Sequence, residues 1–282
     1  MKIGILGSGY GLYGYAAAAN DNDMQVIVKE EYRAKILERD EIKELFNKIS
    51  FKESNSKVIA ASDILVFALP PHLQVEYIFK YDLRGKRIFL EKPLAPNLRE
   101  RELVLQHLSA QEIEFSVGYL FPFTEWGIDL AFDSSSDGIR DLKINWKIPR
   151  PESNWKMNSE NGGGIVNYYL IHILKLLVDL NYDRIDLEFD LQENYGRLSS
   201  EQFYIELNLT EDKLQNFEVS WAKGEKLKSF QLATPFGEQN VPGSADVRVP
   251  FLSTYLASSI DKQHQFDTEN RISKLLFKLL PQ

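Results

Sequence analysis

The chain opens with Lys2-Ile3-Gly4-Ile5-Leu6-Gly7-Ser8-Gly9-Tyr10-Gly11, a short apolar run that leads directly into closely spaced glycines. Glycines between a first strand and a helix permit a tight turn and let backbone N–H groups approach a pyrophosphate. Two registers fit. Gly7-x-Gly9 follows the apolar run at once, whereas Gly9-x-Gly11-x-x-Gly14 has the complete spacing but begins two residues later. We favour the first register, because the leading glycine should fall at the end of the strand.

Residues 1–118 alternate short apolar runs with helical patterns, which is typical of βαβ units and a parallel sheet. We predict strands at 2–6, 25–28, 48–51, 64–69, 87–90 and 113–117. Helical patterns lie between them at 13–19, 31–46, 73–79 and 98–108. With the glycine loop, this order predicts an N-terminal Rossmann dinucleotide-binding domain.

The pattern changes near Gly118. Alternating runs at 202–209, 215–221 and 227–232 predict antiparallel strands with one solvent-exposed face. A strongly apolar helix is predicted at 165–180, and the polar stretch 133–138 predicts a solvated loop rather than a metal site.

We therefore predict an α/β protein of two domains. Residues 1–118 form the dinucleotide-binding domain, and residues 119–282 form a C-terminal α+β domain built on an open, mostly antiparallel sheet. The amphipathic tail 271–280 predicts a last helix that docks back onto the first domain. A membrane-surface helix is the alternative for this tail.

Composition narrows the classes of function. The 282 residues carry a net charge of −8 and no cysteine. The acidic balance argues against a nucleic-acid-binding surface, and the lack of cysteine excludes disulfides and thiolate chemistry. Neither a basic, apolar leader nor an apolar stretch of the roughly 20 residues that a membrane span needs is apparent. The histidines His72, His107, His172 and His264 lack metal-ligand spacing. We expect a cytoplasmic protein without metal, nucleic acid or membrane partner.

The end of the second predicted strand bears on the choice of nucleotide. An acid at this position would bind the ribose hydroxyls of NAD, but here the strand ends at Lys29, with Glu30 next and Arg33 one turn later. A lysine cannot accept hydrogen bonds from a diol, although it suits a 2′-phosphate. We therefore predict NADP. The alternative is NAD, with Glu30 as the acid and the two cations as ordinary surface charges.

Three later segments carry reactive side chains in a recurring order. The first is Ala68-Leu69-Pro70-Pro71-His72-Leu73-Gln74, and the second is Arg87-Ile88-Phe89-Leu90-Glu91-Lys92-Pro93, in which a lysine follows a predicted strand. The third has Trp155-Lys156, then Gly162-Gly163-Gly164, then His172. After the glycine loop, this order resembles the Gfo/Idh/MocA oxidoreductases over nearly the whole chain.

The resemblance implies an NAD(P)-dependent oxidoreductase that transfers hydride between a nicotinamide cofactor and a sugar or nucleotide-sugar hydroxyl or carbonyl. It implies that Lys92 hydrogen-bonds the reacting oxygen and that His172 acts as acid or base, which suits an imidazole. At about 100° per residue, Tyr168 would neighbour His172 on one helix face and join the catalytic set. The resemblance also implies a homo-oligomer. The expected cofactor-binding residues are Gly7, Ser8, Gly9, Tyr10, Gly11, Leu12, Lys29, Arg33, Leu69, Pro70, Gln74 and Glu91.

The chain departs from the family's pattern at several positions. Tyr168 and Lys175 stand where the family has aspartates, Gln74 where it often has a histidine, and Pro122 where an arginine is common. A neutral phenol does not orient an imidazolium as a carboxylate does. These departures motivate a second hypothesis, a non-catalytic dinucleotide-binding sensor or scaffold of the same fold. NAD-assisted glycoside cleavage, as in glycosidases of similar fold, is a third.

Overall fold

In the computed structural model, which describes residues 1–151, 154–239, 241 and 244–280, the first six strands form one parallel sheet. These strands are β1 (Lys2–Leu6), β2 (Gln25–Lys29), β3 (Ser50–Lys52), β4 (Ile64–Phe67), β5 (Arg87–Leu90) and β6 (Glu114–Val117). Their order is β3-β2-β1-β4-β5-β6, and every neighbouring pair is parallel. The strand order reverses between β1 and β4, so the carboxyl ends of these two strands lie where such sheets bind ligands. The predicted Rossmann-type sheet is confirmed.

The helices that connect these strands are α1 (Tyr10–Asp21), α2 (Arg33–Leu37), α3 (Asn55–Ala61), α4 (Pro71–Lys80) and α5 (Leu98–Ala110). The last three begin at local signals in the sequence. The side chain of Ser54 accepts a hydrogen bond from the backbone N–H of Lys57 and caps α3. Asn97 caps α5 in the same way, and α4 begins with a proline, whose missing N–H costs nothing in a first turn.

The predicted continuous helix at 31–46 is wrong. The chain instead forms a 3₁₀ turn at Glu30–Tyr32, the short helix α2 and a second 3₁₀ segment at Lys43–Lys48. Ile36 and Ile42 are both buried. A continuous α-helix would direct their side chains about 120° apart, so burying both requires a break between them. The second 3₁₀ segment also makes β3 start at Ser50, later than predicted.

The second part of the chain contains a mixed sheet of six strands. These are β7 (Arg140–Pro149), β8 (Glu188–Gln192), β9 (Tyr195–Ser199), β10 (Phe203–Thr210), β11 (Asn216–Lys223) and β12 (Lys226–Leu232). Their order is β12-β11-β7-β10-β9-β8. The pair β7–β10 is parallel, and the other neighbouring pairs are antiparallel. Alternate residues of β10 are buried, which leaves one face of the sheet polar. The mostly antiparallel sheet predicted from the sequence is confirmed.

The prediction of a solvated loop at 133–138 is wrong, because these residues extend helix α6 (Glu125–Asp137) to its end. Asp133 is buried, and its carboxylate accepts hydrogen bonds from Trp221 Nε1 at 2.9 Å and Lys223 Nζ at 3.2 Å. The hydroxyl groups of Ser134 and Ser135 donate to carbonyl oxygens one turn earlier in the helix. Side chains that looked like turn formers therefore satisfy their polar groups within a helix.

The apolar helix predicted at 165–180 begins as a π-helix. Residues Ile165–Leu170 are π-helical, and the regular helix α7 spans Ile171–Asp179. A π-helix closes its hydrogen bonds over five residues and therefore has wider turns than an α-helix. The expectation that Tyr168 and His172 share one helix face assumes the α-helical angle, which does not hold for this segment.

The chain folds into two compact units. The first contains Met1–Gly118 and Asn240–Asp267, and the second contains Tyr119–Gln239 and Thr268–Gln282. The returning segment of the first unit, Asn240–Asp267, includes α8 (Val249–Ala257). This helix is joined to the end of α1, because Asn22 Nδ2 donates to Ser253 O and Oγ at 3.0 and 2.9 Å. The last helix, α9 (Lys262–Leu279), begins in the first unit and ends in the second. Within the described residues, none of the helices combines the length and apolarity that a membrane crossing requires.

Candidate functional site

The glycine loop connects β1 to α1 at a place with little room for side chains. Gly7 has a φ of +129°, a value that residues with a side chain rarely adopt. A Cβ at Gly7 would overlap the carbonyl oxygen of Ala68, and a Cβ at Gly11 would overlap the Ala68 side chain. These two glycines therefore let α1 approach the end of β4. Leu12 is fully buried behind the loop.

Gly9 differs from the other two glycines, because no atom lies within 4 Å of the position where its Cβ would be. It is exposed and precedes α1, whose first turn has neither a side-chain cap nor an acidic residue. The N–H groups of a first helical turn lack partners within their own helix, and the helix dipole favours an anion there. An open glycine before an uncapped helix fits a dinucleotide pyrophosphate, which Gly9, Tyr10 and Gly11 would hold.

The cations at the end of β2 are paired with neighbouring acids. Lys29 Nζ lies 2.6 Å from Glu31 Oε2, and this hydrogen bond raises the pKa of Lys29. Arg33 is bonded to both carboxylate oxygens of Glu30 and lies over the ring of Phe51, 3.9 Å from its centroid. The bond from Arg33 lowers the pKa of Glu30, so this carboxylate stays ionised.

A cation that the sequence reasoning missed lies at the glycine loop. Lys35 Nζ donates to Ser8 Oγ at 2.9 Å, and both residues line a cavity of about 520 Å³. Glu38, Arg39, Asp40 and Glu41 also line it. The cavity thus offers hydroxyl and ammonium donors for a phosphate as well as carboxylate acceptors for a diol. The only signal in the sequence was a third cation shortly after Lys29 and Arg33, within a segment wrongly predicted as one helix.

Gln74 is a fully buried side chain that fixes the backbone around Lys92. Its oxygen accepts from Glu91 N–H at 3.0 Å, and its Nε2 donates to Glu91 O and Leu94 O, each at 3.0 Å. The oxygen and the nitrogen of the Gln74 amide are thus both hydrogen-bonded to the segment that follows β5. Leu69 and Pro70, which precede α4, are partly exposed.

Glu91 and Lys92 follow β5 directly and are both partly exposed. The hydroxyl of Tyr15 donates to Glu91 Oε1 at 2.6 Å. Burial, together with the negative charge of Glu91, raises the pKa of Tyr15, so the phenol keeps its proton. The first unit therefore brings Tyr15, Gln74 and Glu91 together beside Lys92, at the carboxyl end of a central parallel strand.

In the second unit, His172 lies among aromatic rings. It is 7% exposed and stacks on Phe121, with ring centroids 4.8 Å apart and an angle of 18° between the planes. The ring of Tyr119 meets it edge-on at 6.1 Å. Phe121 belongs to the segment 118–123 in which the sequence has Pro122 instead of an arginine.

Tyr168 lies against a different set of groups. Its ring contacts Trp155 at 5.5 Å and Tyr169 at 4.9 Å, and Lys156 Nζ lies 5.5 Å from its centroid. Gly163 packs against the backbone of residues 155–156 so closely that a side chain would overlap it. Lys175, in place of a family aspartate, is bonded to Asp179 on the next helical turn at 2.6 and 2.5 Å.

The parallel sheet, its glycine loop and the uncapped α1 define a dinucleotide-binding unit of the Rossmann class. Residues 1–119 match the family model described as the oxidoreductase family with an NAD-binding Rossmann fold. The matched family is the one that the sequence resemblance predicts, and the match covers residues 1–119 of the 282.

A curated relative is an uncharacterized oxidoreductase from Streptococcus pneumoniae serotype 4. It is 22% identical over 185 residues, which cover 62% of this chain and 48% of the relative. The chain thus spans about half the length of that relative.

Solved structures with a similar fold cover nearly the whole chain. A myo-inositol dehydrogenase from Corynebacterium glutamicum is 14% identical with a TM-score of 0.71, covering 98% of this chain and 94% of its own. The WlbA dehydrogenase from Thermus thermophilus, in complex with NAD and UDP-GlcNAcA, is 16% identical with a TM-score of 0.70 and coverage of 100% and 95%. A 3-ketoreductase from Actinomadura kijaniata, in complex with NADP and TDP-benzene, is 14% identical with a TM-score of 0.69 and coverage of 97% and 94%.

Proposed function

We propose that this protein is an NAD(P)-dependent oxidoreductase acting on a hydroxyl or carbonyl group of a sugar or nucleotide-linked sugar. The observation that carries the proposal is the open Gly9 before an uncapped α1, in a sheet whose strand β5 ends at Lys92. The similar folds of a myo-inositol dehydrogenase and of a dehydrogenase in complex with a UDP-sugar support the substrate class.

Each proposed catalytic residue has a role that its chemistry permits. Lys92 donates a hydrogen bond to the reacting oxygen of the substrate, while Gln74 holds the backbone of the preceding residue, Glu91. His172 takes up or releases the proton of that oxygen, and Tyr168 supports it as a neutral phenol. The nicotinamide, when bound, supplies or accepts the hydride.

The remaining cofactor contacts are assigned to the glycine loop and the end of β2. Gly7, Ser8, Gly9, Tyr10, Gly11 and Leu12 form the pyrophosphate loop, and the adenosine ribose is proposed to lie in the cavity beside Ser8 and Lys35. Lys29, Arg33, Leu69, Pro70 and Glu91 complete the proposed set. Gln74, also predicted to bind the cofactor, is fully buried and is proposed to act through the backbone of Glu91 instead. NADP is the proposed nucleotide, and NAD is the alternative that the carboxylates of the cavity favour. A homo-oligomer and a cytoplasmic location are proposed as well.

Two measurements test this proposal. The purified protein should change the fluorescence of NADPH or NADH in a saturable titration. Lys92→Ala should abolish turnover on a panel of sugars and nucleotide sugars but leave the affinity for the dinucleotide unchanged. Lys80→Ala is the matched control, because Lys80 is an exposed lysine at the end of α4. No dinucleotide binding to the wild-type protein would overturn the proposal.

One observation favours a second candidate, a dinucleotide-binding sensor without turnover. His172 is stacked on Phe121, and the position that carries an aspartate in the family is Tyr168. A protein that binds the dinucleotide with a normal affinity but exchanges no hydride with any sugar of the panel would support the sensor and exclude the oxidoreductase.

A further inference from the structure

The returning segment of the first unit brings an arginine against the glycine loop. Arg248 Nε and Nη2 donate to the two carboxylate oxygens of Asp246 at 2.8 and 2.7 Å. Its guanidinium carbon lies 3.5 Å from the ring centroid of Tyr10. A bidentate ion pair fixes the plane of a guanidinium, and a flat cation on an aromatic face is an attractive arrangement. Arg248 is therefore held rigidly on Tyr10.

Tyr10 is the first residue of α1 and lies directly after Gly9. The ring also packs against Gly14, because a Cβ at that glycine would lie 2.7 Å from Tyr10 Cε2. The rings of Tyr13 and Tyr15 lie 5.6 and 6.2 Å away. The ring is thus enclosed by α1 and by Arg248, which belong to distant parts of the sequence.

Nε and Nη2 of Arg248 are hydrogen-bonded to Asp246. Arg248 therefore influences the glycine loop through its contact with the ring of Tyr10. A cation beside the first turn of a helix opposes the helix dipole, which favours anions there. Asp246 offsets that repulsion. A pyrophosphate would then bind to a first turn of α1 whose conformation is already fixed. Preorganisation of this kind strengthens binding.

We infer that Arg248 is a positioning residue for the dinucleotide loop: it holds Tyr10 so that Gly9 and the first turn of α1 keep the conformation that receives the pyrophosphate. The inference rests on the proposed function, because it concerns the same dinucleotide. It assigns the returning segment a role in cofactor affinity in addition to its packing on α1.

The test compares two contacts of this segment with the same helix. Arg248→Ala removes the contact at the start of α1, whereas Asn22→Ala removes the bonds to Ser253 at its end. We expect Arg248→Ala to weaken NADPH and NADH binding about ten-fold, the scale of a partly buried cation–π contact, and Asn22→Ala to leave both affinities within about two-fold. Thermal unfolding without dinucleotide measures the structural cost of each variant.

Further variants keep the test decisive if Arg248→Ala folds poorly. Arg248→Lys retains the charge but loses the planar fork, so it should weaken binding by a smaller factor. Tyr10→Ala combined with Arg248→Ala should bind no more weakly than Tyr10→Ala alone, because the two residues act as one unit. Faster hydrogen exchange of the amides of residues 8–12 in the Arg248 variants, but not in Asn22→Ala, is the readout specific to positioning.

The outcomes separate the two proposals. A wild-type protein that binds no dinucleotide overturns the proposed function and this inference together. Normal wild-type binding with equal affinities in Arg248→Ala and Asn22→Ala overturns only the role of Arg248. Additive losses in the Tyr10 and Arg248 double variant also overturn it, since they would mean that the arginine acts independently of the ring.

Discussion

Tyr15 donates its hydroxyl hydrogen to Glu91 across 2.6 Å and so joins the first helix to the residue that precedes Lys92. The tyrosine is fully buried, and its raised pKa keeps the proton on the phenol. A hydrogen bond to a carboxylate is stronger than one between neutral groups. The glycine-loop helix and the proposed catalytic lysine are therefore coupled through one side-chain contact.

Replacing Tyr15 with Phe should reduce stability, because the Glu91 carboxylate loses a donor in a partly buried place. The expected loss is about 1–3 kcal/mol in the free energy of unfolding, measured by urea denaturation. Tyr13→Phe is the matched control on the same helix and should change stability by less than about 0.5 kcal/mol. Equal losses in the two variants would show that the contact with Glu91 contributes nothing specific.

Asp133 should make the protein sensitive to acid. Hydrogen bonds from Lys228, Trp221 and Lys223 lower its pKa to about 2. A lowered folded-state pKa contributes stability that is fully present above the unfolded value of about 3.9 and is lost as the pH falls towards about 2.

We therefore expect Asp133→Asn to lower the free energy of unfolding at pH 7 by about 1–3 kcal/mol, and the difference from wild type to shrink between about pH 4 and pH 2. Urea titrations across this range measure it. Asp129→Asn is the control, because Asp129 pairs with the same Lys228 at 3.2 Å but is much more exposed than Asp133. Such surface pairs contribute little. A difference that persists unchanged to pH 2 would refute the assignment.

The cavity beside Ser8 should decide between the two nucleotides. Removing the ammonium group with Lys35→Ala should weaken NADP(H) binding relative to NAD(H) about ten-fold, because a charged hydrogen bond to the 2′-phosphate is lost. Glu38→Ala should shift the ratio in the opposite direction, since a carboxylate accepts from a diol and repels a phosphate. Lys57→Ala is the control, because Lys57 is an exposed lysine of α3 that pairs with Glu53, and neither residue lines this cavity. Parallel shifts in the Lys35 and Glu38 variants would exclude this cavity as the ribose site.

Gly11→Ala should prevent the close approach of α1 to β4, because the new methyl group would overlap the side chain of Ala68. Overpacking of this kind costs about 1–3 kcal/mol or more, which thermal and urea unfolding would detect. Ala68→Gly in the same chain removes the overlapping group and should restore part of the loss. The matched control is Gly9→Ala, where the space is open. We expect it to fold normally and to weaken dinucleotide binding instead.

Local patterns in the sequence predicted much of the first unit. The strands and the glycine loop were predicted because apolar runs and glycines report on backbone conformation within a few residues. The family resemblance rested on short segments of the same kind, and the family match agrees with it over residues 1–119. The helix at 31–46 was mispredicted because its charge pattern looked amphipathic, while the burial of both Ile36 and Ile42 requires a break.

The sequence alone was sufficient for the parallel sheet, the loop at its switch point and the lysine after β5, since each depends on neighbouring residues. Only the tertiary structure decided which polar groups meet. Asp133 looked like part of a loop but is buried against Trp221, and Lys35 rather than Lys29 bonds to Ser8. Arg248 reaches Tyr10 from the far end of the chain. Such contacts join residues that chain folding brings together, and a local pattern in a single sequence carries no information about them.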